Sequence, residues 1–221
     1  MGNYYYKRAG AMKSQQSGFT LVEIAIVLVI IGLLLGGILK GQELINSAKV
    51  KNLANDFRVI PTYIYAYQDK FRSLPGDDSG AVAHVGAGTN IGNGNGTIEG
   101  EWNDVETGTT EANIFWEHIR KANLAAGPTT PAAGFAPVNA FGGRVGVTSA
   151  TAAQTVGGLS GTYLVCSDAV PGKFAKQLDI QMDDGNTAAG SMRVVAQATK
   201  TPAIATPAIV DGTNYTVCLA F

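Results

Sequence analysis

The sequence predicts an α+β protein: one long N-terminal helix, its first half able to span a membrane, packed on a small antiparallel β-sheet head domain. Three observations carry this expectation. A long apolar run follows a few basic residues, an apolar stripe at helical spacing continues beyond it, and short strand-like runs between Gly-rich turns fill the remainder.

The apolar run extends from Phe19 to Leu39 with Glu23 as its one charge, long enough as a helix to cross a hydrocarbon core of ~30 Å. Lys7, Arg8 and Lys13 precede it, and no acidic residue does. The positive-inside bias therefore keeps the N-terminus cytoplasmic and sends the rest outward. A secretory signal would be cut after its apolar region at a small-x-small site; here Gly32, Gly36 and Gly37 lead into Lys40, Gln42 and Glu43 without one.

Lys13-Ser14-Gln15-Gln16-Ser17-Gly18-Phe19-Thr20-Leu21-Val22-Glu23 resembles the prepilin peptidase site of type IV pilins and type II secretion pseudopilins. The shared features are a short basic leader, a Gly before the cut, an apolar aromatic after it, a Glu four residues on, and an unbroken apolar helix. The resemblance implies cleavage between Gly18 and Phe19 by a membrane aspartyl protease, N-methylation of Phe19 by the same enzyme, and a type IV pilin-like fold. Residues 1–18 are then a leader. Met12 would give the leader MKSQQSG, which makes residues 1–11 an extension or a misassigned start.

An ionised carboxylate on an apolar helix is expensive unless paired, so Glu23 calls for a function. The resemblance assigns it to assembly, pairing with the new Phe19 amine of a neighbouring subunit; the bland alternative is a carboxylate snorkelling to water. Gly32, Gly36 and Gly37 each cost roughly 1 kcal/mol against Ala inside a helix. They serve either helix flexibility or close helix packing.

Residues 41–74 continue the helix amphipathically after the transmembrane and filament-core segment, 19–40. Leu53, Phe57, Ile60, Ile64, Tyr67, Phe71 and Leu74 form one stripe. Pro61 interrupts the hydrogen-bond ladder and predicts a kink near Phe57. Leu74-Pro75-Gly76 predicts the stop.

Residues 75–221 form the head. Residues 76–108, rich in Gly, Asn and Asp, read as a long loop. Within it, Asn93-Gly94-Asn95-Gly96-Thr97-Ile98 is half of a calcium-loop pattern, for which Asp77, Asp78, Asn93, Asn95 and Glu99 would supply oxygens; a turn cluster of Gly and Asn is the alternative. No other cofactor is expected. Glu111 to Leu124 has the spacing of a short helix with acidic residues early and basic residues late. His84 and His118 stand apart from any second histidine and read as structural or solvent-facing. Thr162–Cys166, Ser191–Ala198 and Tyr215–Phe221 read as strands; Lys173–Met182 fits helix or strand. Asp183-Asp184-Gly185-Asn186 is a turn, and Thr199–Ile209, containing TPAIATPAIV, is an exposed loop.

Cys166 and Cys218 lie far apart without CxxC or histidine neighbours, so a disulfide formed in an oxidising compartment is the expected use. In the family resembled, such a bridge near the C-terminus bounds a variable surface loop. A net charge of -1 makes no case for nucleic acid as a partner. Asp77-Asp78 and Asp183-Asp184 are adjacent in turns rather than set across a cleft, so no enzyme activity is expected. The resemblance implies a homo-oligomeric helical filament, with the prepilin peptidase, an inner-membrane assembly platform and its ATPase, and the membrane as partners. The precursor would sit in the bacterial inner membrane. The subunit would then enter a cell-surface type IV pilus, with a periplasmic pseudopilus of type II secretion or a minor tip adhesin as alternatives.

Overall fold

The computed structural model describes residues 18–150, 156–197 and 208–221. The leader up to residue 17, residue 198 and residues 199–207 of the expected exposed loop lie outside them. The chain divides into two compact units, Met1–Ile45 and Asn46–Phe221.

In the first unit, the described residues form the start of helix α1, which runs Leu21–Phe71. Its best window has a mean hydropathy of 2.8 with none of it buried, long and apolar enough to cross a membrane. Leu21, Leu28, Leu33 and Leu39 all stand exposed.

In the second unit, α1 turns one face inward. Val50, Leu53, Ala54, Phe57, Ile60, Ile64 and Tyr67 are buried at steps of three and four, while the intervening residues are mostly polar. The helix is unbroken through Pro61, whose missing N–H leaves the Phe57 carbonyl without its usual donor. Burial of Phe57, Ile60 and Ile64 on either side holds the turn helical. The helix ends before the predicted Leu74-Pro75-Gly76 stop. Arg72 adopts a φ of 56°, while its N–H still reaches the Gln68 carbonyl at 2.8 Å.

The remaining elements are α2 (Ala81–Val85), α3 (Glu111–Lys121), β1 (Val145–Ser149), β2 (Tyr163–Pro171), α4 (Gly172–Met182), β3 (Met192–Ala196) and β4 (Asn214–Ala220). The strands form one antiparallel sheet in the order β1-β2-β4-β3. Neither α2 nor β1 was legible from local pattern. Lys173–Met182 resolves as helix: Ala175, Leu178 and Asp179 are buried at helical spacing.

Each face of the sheet has its own apolar cluster. Val145, Val147, Tyr163, Val165, Met192, Val194, Tyr215 and Val217 join Leu53, Phe57, Ile60 and Ile64 of α1 and Phe115 and Ile119 of α3. The alternate residues Leu164, Cys166, Val195, Cys218 and Ala220 join Trp102 and Val156 on the other face. Cys166 and Cys218 are directly opposed in the β2–β4 ladder and form the expected disulfide, with Cα atoms 4.1 Å apart. The bridge thus fastens neighbouring strands of the sheet.

Candidate functional site

The segment around the expected cleavage point is open. Gly18, Phe19 and Thr20 precede α1, and Phe19 is 84% exposed. Thr20 and Glu23 form a reciprocal helix cap. The Thr20 N–H and hydroxyl both donate to Glu23 Oε2 at 2.8 Å, and the Glu23 N–H donates to the Thr20 Oγ1 at 3.2 Å. The Thr-x-x-Glu spacing that signals this cap is plain in the sequence and was missed there. The cap holds the Glu23 carboxylate over the first turn of the helix, against Thr20, the residue that follows Phe19.

No described atom lies within 4 Å of where a Cβ would stand at Gly32, Gly36 or Gly37, the helix's own nearby backbone aside. Nothing in the described chain therefore calls for glycine there. Such a smooth, side-chain-free strip suits close approach by another helix.

In the head, residues 76–108 are ordered around buried carboxylates. Asp77 accepts the N–H groups of Gly94, Asn95 and Gly96 at 2.6–3.0 Å. Asp78 points elsewhere: it accepts from the Tyr67 hydroxyl at 2.7 Å and the Gly80 N–H at 2.8 Å, and pairs with His84 Nδ1 at 2.7 Å. Glu111 accepts the N–H groups of Asn93 and Glu99, both at 2.9 Å. The Asn93 and Asn95 side-chain amides donate to Glu99 at 3.1 and 2.7 Å. Of the five residues considered for calcium, the structure thus gathers Asp77, Asn93, Asn95 and Glu99 at one turn and places Asp78 in a separate cluster. The acidic oxygens at this turn are engaged by protein donors, which by themselves account for its shape.

His118 is buried and structural. Its Nδ1 accepts the Gly76 N–H at 2.9 Å, so Nε2 carries the proton and donates to the Asn90 carbonyl at 2.7 Å. Burial pushes its pKa below the ordinary histidine value. His84, part-exposed, instead pairs with Asp78 and stacks on Phe71.

Residues 13–39 match the prokaryotic N-terminal methylation motif, the signature of type IV pilins and pseudopilins. No curated protein and no solved structure matches the chain. The motif implies processing by a prepilin peptidase and assembly into a filament, and with the exposed apolar helix it fits a membrane-anchored precursor.

Proposed function

We propose that the chain is a structural subunit of a type IV pilus or related filament, cut between Gly18 and Phe19 and assembled through its N-terminal helix. The observation that carries this reading is the methylation motif at residues 13–39, set on a helix whose membrane-length apolar stretch is wholly exposed in the single chain. Burying that surface costs nothing in a bilayer and is equally satisfied by a bundle of identical helices, so the same segment serves first as anchor and then as filament core.

Glu23 makes docking selective. A subunit entering out of register leaves two charges unpaired among hydrocarbon, whereas the correct stagger pairs the carboxylate with the Phe19 amine of a neighbour. The head domains then form the outer surface. The subunit's role is structural rather than enzymatic, with the prepilin peptidase, assembly platform and ATPase as its partners.

The test is intact mass and N-terminal sequencing of the chain from sheared surface filaments of the native cells. A start at N-methylated Phe19 in abundant filaments supports a pilus subunit. Trimmed chain confined to the inner membrane or periplasm turns the reading toward a pseudopilus, and an untrimmed N-terminus in every fraction overturns it.

A further inference from the structure

The junction between α4 and β3 holds an acidic cluster that neither filament assembly nor the fold explains. Asp179, Asp183 and Asp184 bring one carboxylate oxygen each within 4.8 Å of one another. Asp179 lies on the buried face of α4 at 0% exposure, and neither of its carboxylate oxygens has a hydrogen-bond partner of normal geometry. A carboxylate buried in this way is ordinarily paired, protonated or bound to a cation. The charged groups facing it, Asp183 and Asp184, carry the same sign, so they oppose its ionisation instead of relieving it.

The other two carboxylates are held in place from behind. Asp183 accepts the Met192 N–H at 2.8 Å and the Ser191 hydroxyl at 3.1 Å; Asp184 accepts the Asn186 N–H at 2.8 Å. Each retains free lone pairs. Gly190, with φ of 73°, lets the backbone run against the Asp183 carboxylate where any side chain would collide. Asp183 is part-buried and Asp184 exposed, which leaves the cluster open to solvent on one side.

We propose that Asp179, Asp183 and Asp184 bind one divalent cation of the calcium class, which ties the end of α4 to the start of β3. All-oxygen donors select hard cations, and three carboxylate oxygens within 4.8 Å of one another can converge on one ion. The cation supplies the positive charge that Asp179 lacks among its protein neighbours. Asp179 is buried beside two carboxylates of the same sign, so the cluster without a cation is a poor home for three negative charges. This site lies in the second unit and stands independently of the filament reading.

Calcium chloride titrated calorimetrically into the EDTA-stripped full chain in detergent, followed by thermal melts at each concentration, tests the proposal. The expected result is one saturable site per chain and a melting temperature that rises with calcium. Asp184→Asn, an exposed change that leaves the core untouched, weakens binding by at least about 10-fold, the scale lost even for supporting residues at metal sites. Asp179→Asn removes binding while keeping the shape of the side chain. Absence of saturable binding by calcium, magnesium or manganese up to ~10 mM, well above the weak end of extracellular calcium modules, overturns the proposal. Binding that survives both substitutions but disappears in Glu99→Gln also overturns it, placing the cation at the Asn93 turn.

Discussion

The Tyr67 hydroxyl donates to Asp78 Oδ2 at 2.7 Å in the interior of the head, joining the last turns of α1 to the loop that follows it. Burial opposes the Asp78 charge, but hydrogen bonds from His84, Tyr67 and Gly80 outweigh it and hold the carboxyl below the usual range. Asp78→Ala leaves the Tyr67 hydroxyl without its acceptor and costs about 1–3 kcal/mol in urea unfolding. Because the folded pKa is depressed, this stability is present above the unfolded value of about 3.9 and is lost as pH falls through the folded value. The difference between the two proteins therefore narrows in acid.

His118 gives a second pH response. Its folded pKa lies below the unfolded value of about 6.5, so the unfolded chain takes up the proton first. Stability is full above that value and declines as pH falls below it, until the folded form also protonates. Thermal melts from pH 8 to 5 show this decline; in His118→Gln the histidine contribution is absent, and the comparison isolates it.

Asp179 responds in the opposite sense in EDTA. A carboxyl whose folded pKa is raised favours the folded state fully below the unfolded value of about 3.9. That contribution is lost as pH rises through about 6. Asp179→Asn removes this loss, so in EDTA at pH 7 the variant melts above the parent protein.

Reducing the Cys166–Cys218 bridge opens a 52-residue separation in the unfolded chain. The Cys166→Ala, Cys218→Ala double variant loses about 2–4 kcal/mol in guanidinium unfolding, and reductant then has no further effect on it.

Glu23→Ala removes the carboxylate that the Thr20 cap presents at the helix start. Its hydrogen bonds run to Thr20 alone among the described residues, so the head melts at the parent temperature. Filaments sheared from cells carrying this variant contain at least about 10-fold less of the chain, as expected when an apolar interface loses its one charge pair.

The legible parts were those whose signal is periodic or paired. Leu53, Phe57, Ile60, Ile64 and Tyr67 announced the buried face of α1, and two isolated cysteines announced their bridge. By contrast, β1 is only Val145–Ser149, buried on both faces and carrying Gly146, so it has no alternation to detect. Residues 76–108 looked like loop because Gly and Asn report turns. Much of their order comes from Asp77, Glu111 and Glu117, whose bonds to Gly94, Asn93 and Asn90 span 17, 18 and 27 residues and leave no local trace. Asp183-Asp184 carries the local signal of a turn; Asp179, one helical turn earlier on the buried face of α4, lies beside them in the structure. Its i, i+4 spacing to Asp183 was the available signal.

The strand order also sets a timetable. β4, the fourth strand in chain order, lies between β2 and β3, where its backbone groups complete both ladders. Until residues 214–220 are in place, β2 has one open edge, β3 has no strand neighbour among the described residues, and Cys166 has no partner. A head formed in chain order therefore stays unlocked until its last strand and closes in one late step, when β4 slots into the middle of the sheet.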